Sequence, residues 1–309
     1  MKCFVLGATG CVGSAIVEAF LSHGAIVYGL ARSTEAATSL AKLSARPVLV
    51  SNVQETDAWM PTAEACSVVI EALGDKGDKN TQKIVSDALI ALKKRKPGVN
   101  VIFTSGIFSF GQDDSNRLRV FTEEDDDYSF SCKASLARHP IDRAYRAAGG
   151  IVIVGGMVYG AGQGPIVVQY GSALVEAKKN NSEARLFSVF GDGSQWLSSV
   201  HRRDLGELYV LVAQQAAQLQ GQLINACVHL ERFDALVESM AQAIGFPVDR
   251  IRYEIPAETD LKWRAYGANV RVSGQKARSL GWIPRQPSFC QIVQDEMAAF
   301  LARGSQHAH

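Results

Sequence analysis

The chain of 309 residues has no excess charge of either sign, with 32 Lys and Arg against 31 Asp and Glu. That balance argues against nucleic acid or an anionic membrane as the main partner. No apolar run is long enough to span a bilayer. Cysteine is sparse and scattered. Cys3, Cys11, Cys66, Cys132, Cys227 and Cys290 form no C-x-x-C and no Cys/His cluster at zinc spacing. A reducing compartment and no metal are the simple readings. Only 9 prolines and a hydrophobic content of 47% describe an ordered globular chain. There is no low-complexity segment and no repeat beyond strand–helix units. The sequence starts on an apolar strand with no charged leader before it, so a cytoplasmic location is the expectation. Gly304 to His309 is polar and reads as a frayed tail, in which His307 and His309 are not ligands.

What is present is concentrated in the first thirty-two residues. Cys3 to Leu6 is a short apolar run, followed at once by Gly7-Ala8-Thr9-Gly10-Cys11-Val12-Gly13. Ala15, Ile16, Val17, Ala19, Phe20 and Leu21 then recur at helical spacing up to Gly24, and a second apolar run covers Ile26 to Leu30. Strand, glycine turn, helix and strand in this order are the layout for a dinucleotide. Gly7 allows the tight turn, Gly10 lets backbone approach the pyrophosphate, and Gly13 lets the helix pack on the strand. Thr9, Cys11 and Val12 complete the candidate cradle, and the helix N-terminus supplies free N–H groups.

The tip of the second strand lacks the acid that accepts from an NAD ribose. Leu30-Ala31-Arg32-Ser33 offers a cation and a hydroxyl instead. Arg32 and Ser33 are therefore the expected clamp for a 2′-phosphate, and NADP(H) the expected cofactor. The competing reading is that Arg32 is a solvated loop charge.

The alternation continues. Strands are predicted at Pro47–Val50, Val68–Ile70, Val99–Phe103 and Ile151–Val154, the last running on to Met157-Val158-Tyr159-Gly160. Helices are predicted at about 80–94 and 135–148, with a polar, acidic loop over 112–128. This predicts a doubly wound parallel α/β sheet of the Rossmann type, with ligands at the carboxyl ends of the strands. After Gly160 the pattern loosens. It suggests a helix over 167–178, a hairpin-like turn at Gly191-Asp192-Gly193, a helix capped by Asp204 with Glu207, a strand over 222–228, a helix over 232–244, and a final helix opened by Ser288 and Gln291. The expected organisation is a dinucleotide-binding domain over 1–159, a smaller mixed substrate domain over 160–303 partly interleaved with the sheet, and a tail over 304–309.

These motifs resemble the extended short-chain dehydrogenase/reductase superfamily, in its NAD-dependent epimerase/dehydratase branch. The resemblance is carried by Gly7, Gly10 and Gly13; by Thr104-Ser105-Gly106; by Met157-Val158-Tyr159-Gly160; by Gly191-Asp192-Gly193; by Ser199-Val200-His201 with Asp204-Leu205; and by Leu280-Gly281-Trp282 before Pro284. It implies cofactor contacts at Asn52, where the family usually has an Asp beside the adenine, at Ala72 and Leu73, and at Met157 and Val158 beside the nicotinamide. The family's chemistry uses Tyr-x-x-x-Lys plus a Ser or Thr, and here this sequence departs. Tyr128 and Lys133 are five apart, so they do not share one helical face in the required way. Counting back from Asp142 puts Ala134 at the Tyr place and Arg138 at the Lys place, and counting back from Gly111 puts Gly106 at the Ser place, with Ser105 one before it, so all three standard positions are altered. The pattern resembles a subgroup in which Arg-x-x-x-Asp/Glu, here Arg138 and Asp142, replaces the usual pair.

A different proton donor is then required. The candidates are Ser105, Tyr159 and Tyr128, with His201 further away, and Arg138 is the candidate to hold the nicotinamide ribose. Each has a plain alternative: a backbone-satisfied serine, a packing tyrosine, a loop tyrosine, a helical ion pair. Three functions remain open: an NADPH-dependent reductase of a carbonyl or conjugated double bond, a non-catalytic NADP-binding sensor, and a non-redox isomerase or dehydratase. The expected partner is a small, moderately apolar molecule, aromatic compounds included, rather than a nucleotide sugar, with no nucleic acid and no membrane, and a homodimer is left open.

Overall fold

The computed structural model describes residues 1–74, 79–113, 115–125, 139–179, 187–255, 257 and 259–306. Strands β1 (Lys2–Leu6), β2 (Ile26–Ala31), β3 (Arg46–Leu49), β4 (Val68–Glu71), β5 (Asn100–Gly106), β6 (Ile151–Gly155) and β10 (Leu223–Ala226) form one parallel sheet. Its order is β10-β6-β5-β4-β1-β2-β3. The order reverses between β1 and β4, and that switch point is where such sheets open a crevice for ligands. Cys3–Leu6 of β1 and Val68–Ile70 of β4 are buried apolar runs, as expected for strands covered on both faces.

Each face has its own core. Helices α1 (Cys11–Ser22), α2 (Thr34–Lys42) and α7 (Arg202–Gln214) cover one face, where Val5, Ile16, Phe20, Ile153, Leu208 and Tyr209 are buried together. Helices α3 (Thr56–Glu64), α4 (Lys79–Arg95) and α5 (His139–Ala147) cover the other, over Phe4, Trp59, Leu89, Phe103, Tyr145 and Val152. That second core runs on through Phe121, Tyr170, Phe233 and Phe289 into the smaller lobe. α1 and α7 pack so closely that a Cβ on Gly206 would lie 2.6 Å from the Ala15 carbonyl oxygen.

The outer edge of β10 is covered by side chains. Lys276 Nζ donates to the Leu223 carbonyl at 2.9 Å, and Glu123 Oε1 accepts from the Asn225 N–H at 2.8 Å. An edge filled this way offers no ladder to another chain.

The smaller lobe holds a sheet of β11 (His229–Arg232), β9 (Trp196–His201) and β7 (Met157–Tyr159), and a parallel pair of β8 (Phe187–Phe190) with β12 (Ile251–Glu254). Helices α6 (Ser172–Lys179), α8 (Phe233–Ala243), α9 (Leu261–Tyr266), α10 (Gln275–Ser279) and α11 (Val293–Gln306) complete it.

Five local expectations are corrected here. Met157–Tyr159 is not an extension of β6 but a strand of the second sheet. β8 and β9 form no hairpin, because β8 pairs with β12 and β9 with β7 and β11. The stretch predicted as a helix from 167 begins as a π-helical turn over Val167–Gly171. α7 is capped by His201, not Asp204. The last helix also continues through Gln306, past the expected start of the tail. Among the described residues no helix is long and apolar enough to cross a membrane.

Candidate functional site

The glycine turn between β1 and α1 is tight where it meets protein and open where it faces out. Gly7 has φ +80°, and a Cβ there would lie 2.3 Å from the Ala72 carbonyl oxygen. A Cβ on Gly13 would lie 2.0 Å from the Gly7 carbonyl oxygen. Only glycine fits at either place. Gly10 is different: its Cβ would meet only the Gly7 oxygen, at 3.3 Å, and Thr9 and Gly10 are exposed. Gly10 N-caps α1 without a side-chain hydrogen bond, and the first turn carries no acid. The leading N–H groups of α1 thus keep their donor capacity beside an open glycine, which fits an anion such as a pyrophosphate. Cys11 and Val12 are half-buried. Burial pushes the Cys11 thiol up to about 11, so it is neutral at physiological pH.

At the tip of β2, Arg32 is exposed and makes no ion pair or hydrogen bond among the described residues. Ser33 is engaged locally: its hydroxyl caps α2 by accepting from the Ala36 N–H at 3.2 Å. The Glu35 carboxyl is held below its usual range by its own backbone N–H and by the Ser33 hydroxyl. Asn52 is exposed, and its Oδ1 accepts from the Gln54 N–H at 3.0 Å in a local turn. Ala72 and Leu73 are half-buried just past β4, and the Ala72 N–H donates to the Leu6 carbonyl at 2.9 Å.

On the far side of the switch point, Ser105 ends the inward-facing row of β5. Its hydroxyl donates to Asp142 Oδ2 at 3.0 Å, and both residues are buried. Asp142 belongs to a polar stripe on α5. His139, Asp142 and Tyr145 follow at i, i+3 and i+6, all buried, so they lie on one face of the helix. The Tyr145 hydroxyl donates to Glu71, which also accepts from Gln82 Nε2 at 2.8 Å. Burial, then the neighbouring Glu71, push the Tyr145 hydroxyl well above its ordinary range. Burial and then Arg143 lower His139 below the usual imidazole range. Tyr128 and Arg138 lie outside the described residues.

The lobe side is closed by the protein's own bonds. Met157 is buried and Val158 half-buried. The Tyr159 hydroxyl donates to the Pro287 carbonyl at 2.5 Å, and the ring packs edge-on against His201 and Phe289. Burial, then the nearby Glu231, raise that hydroxyl far above its ordinary range. The N–H groups of Gly160, Ala161 and Gly162 all donate to the buried Glu296 carboxylate, at 3.0–3.1 Å. Burial raises Glu296 above the usual carboxyl range. Asp204 accepts from the Arg285 and Gln286 N–H groups at 2.9 and 3.0 Å. His201 Nδ1 accepts from the Arg203 N–H, and burial pulls its ring down to about 4. The buried Arg202 guanidinium reaches back to α1, donating to the Cys11 carbonyl, Ser14 Oγ and Glu18.

Ser105 and Asp142 are thus brought together 37 residues apart, while the Tyr159 hydroxyl and His201 Nδ1 are engaged elsewhere. Sequence reasoning missed Glu71, Arg202 and Glu296. Glu71 had one signal, an acid at the end of an apolar strand.

Residues 3–227 match the model of the NAD dependent epimerase/dehydratase family. The uncharacterized protein YLL056C of Saccharomyces cerevisiae is 27% identical over 307 residues, covering 95% of this chain and 98% of its own. Among solved structures, dTDP-glucose 4,6-dehydratase of Bacillus anthracis in complex with NAD aligns with a TM-score of 0.77 at 16% identity, covering 99% of this chain and 98% of that one. UDP-glucuronic acid 4-epimerase of Bacillus cereus, in complex with UDP-glucuronic acid and NAD, aligns with a TM-score of 0.73 at 15% identity, covering 98% and 100%.

Proposed function

The chain belongs to the NAD dependent epimerase/dehydratase family, and from that premise we propose that it is an NADP(H)-dependent oxidoreductase. Its substrate is a small, moderately apolar molecule reduced at a carbonyl or conjugated double bond. The observation that carries this reading is the open glycine turn followed, at the tip of β2, by an unpaired Arg32 and no acid. The NAD-bound dehydratase and epimerase above support a nicotinamide dinucleotide in the same fold. In this reading 1–159 holds the cofactor and 160–303 the substrate.

The parts divide as follows. The backbone of Gly7, Gly10 and Gly13, with Thr9, Cys11 and Val12, holds the pyrophosphate. Arg32 pairs with the 2′-phosphate, and Ser33 orders the turn that presents it. Asn52, Ala72 and Leu73 line the adenosine side, while Met157 and Val158 line the nicotinamide side. Arg138, from the family register, holds the nicotinamide ribose. When bound, the cofactor supplies the hydride, and the chain must supply the proton. Ser105 is the residue assigned that task.

The test is a fluorescence titration with NADPH and NADH, followed by NADPH oxidation against a panel of carbonyl compounds. Tighter NADPH binding with turnover of at least one carbonyl is expected. Equal affinities would remove the 2′-phosphate clamp. Binding without turnover on any carbonyl would remove the reductase.

A further inference from the structure

We propose that Ser105 and Asp142 form the proton-handling pair of this site, Ser105 touching the substrate oxygen and Asp142 serving as the positioning residue behind it. The proposal rests on the oxidoreductase reading above and extends it past Ser105, to the group that exchanges the proton behind it.

The geometry begins with the strand. Val101, Phe103 and Ser105 alternate onto the α5 face of β5. Ser105 is the last of them before the strand ends at Gly106. It therefore stands at the carboxyl end, where a ligand of such a sheet lies. Its neighbour across the β5–β6 ladder is the buried Val154, so the hydroxyl sits in an otherwise apolar row. Ser105 is 4% exposed and Asp142 is 0% exposed. Burying a carboxyl is costly, and an apolar residue on this helix face would fill the core more cheaply. Among the described residues, the other ionisable groups on that face are His139 one turn before and the Tyr145–Glu71 pair one turn after. Both lie beside Asp142 along α5, and neither reaches Ser105 among the described contacts.

The direction of the hydrogen bond matters. A carboxylate only accepts, so Ser105 gives its hydrogen to Asp142. The lone pairs of Oγ are then turned away from the helix, free to accept a proton. In the oxidation direction, the substrate C–H bond breaks and its hydride passes to an oxidised nicotinamide dinucleotide. The substrate O–H proton passes to Ser105 Oγ, and the proton that Ser105 held passes to Asp142. Reduction runs the same transfers in reverse, with a reduced nicotinamide dinucleotide as hydride source. The remaining described candidates are engaged elsewhere: the Tyr159 hydroxyl on the Pro287 carbonyl, and His201 on the first turn of α7.

The experiment compares wild type with Ser105→Ala, Ser105→Thr, Asp142→Asn and the Ser105→Ala/Asp142→Asn double variant, using NADPH and 4-nitrobenzaldehyde with the same carbonyl panel. NADPH Kd is expected to stay within about threefold throughout. Ser105→Ala and Asp142→Asn should each lower kcat by roughly 10²–10⁴ with little change in KM, the usual range for losing a positioned proton donor. The double variant should fall no further than the worse single, because the two act as a unit. Ser105→Thr keeps a hydroxyl and should retain at least about a tenth of kcat, which also guards against misfolding of the alanine variant. Asp142→Asn should remove one limb of the kcat–pH profile, an effect that loss of packing alone would not produce. In cofactor-free protein, Ser105→Ala should move the carboxyl carbon resonance of Asp142. Wild-type kcat in Asp142→Asn, or an unmoved resonance, overturns the pair while leaving the oxidoreductase reading in place. A wild type that binds NADPH but reduces no carbonyl overturns both.

Discussion

The turn after β1 and the turn after β7 are both glycine-rich, and both present backbone N–H groups at a strand end. They differ in what those N–H groups meet. After β7, the N–H groups of residues 160–162 are filled by Glu296, and the strand above is tied down by Tyr159 on the Pro287 carbonyl. After β1, Gly10 caps α1 with no side chain and faces outward. A buried N–H must find a partner or cost stability. The second turn meets that need within the chain; at the first, exposed donors are left to solvent or, in the function proposed above, to a cofactor. Glycine content alone does not distinguish the two turns; what their N–H groups meet does.

The sharpest way to break this comparison is within the first turn itself. Gly13→Val drives a side chain into the Gly7 backbone, and should cost more than about 4 kcal/mol, enough to prevent accumulation of folded protein. Gly10→Val meets no such wall, so its melting temperature should stay within a few degrees of wild type while NADPH affinity falls at least about a hundredfold. Thermal melts with a cofactor titration decide it, and retained NADPH binding in Gly10→Val would sink the assignment.

The next test concerns the filled turn. His201 titrates near 4 in the fold against an ordinary 6.5. A histidine with a depressed folded value stabilises the fold above about pH 6.5, and that contribution is lost as pH falls toward 4. Urea midpoints measured from pH 7 to 4 should therefore decline. In His201→Asn, which keeps a capping side chain without the titration, the decline should be shallower. An unchanged slope would show that His201 is not buried neutral.

At the open turn, Arg32→Asp should cut the preference for NADPH over NADH by about ten- to a hundredfold, the size of one charge-assisted pair to phosphate. The same change should leave the urea midpoint alone, because Arg32 has no partner among the described residues. The smallest effect belongs to Tyr159→Phe. Losing its bond to Pro287 should cost about 1 kcal/mol and leave kcat within twofold. A collapse of kcat there would make Tyr159 the proton donor and remove that role from Ser105.

The parallel sheet was legible because its signals are local: apolar runs of four to six residues, glycine turns, and helical periodicity between them. The open turn at Gly7–Gly13 and the cation at Arg32 were legible for the same reason. The smaller lobe was not, because its strands pair at long range. β8 finds β12 more than sixty residues later, and nothing in Phe187–Phe190 announces that partner. Asp204 looked like a cap by its spacing to Glu207, yet its carboxylate is taken by residues 285 and 286. Ser105 could be named from its strand end. Its bond to Asp142 could not be read, because it joins a strand to a helix across 37 residues.

The position of α7 on α1 has a consequence for how the chain assembles. The first helix is made within the first 22 residues, but the helix that covers it begins at Arg202. β10, which completes the sheet, follows at Leu223. During synthesis the first strands with α1 and α2 therefore leave the ribosome with that face only partly covered for nearly two hundred residues. Long-range closure of this kind slows folding and leaves apolar surface exposed meanwhile. A chain truncated after residue 160 should thus behave as an aggregating fragment, not as a free-standing nucleotide-binding domain.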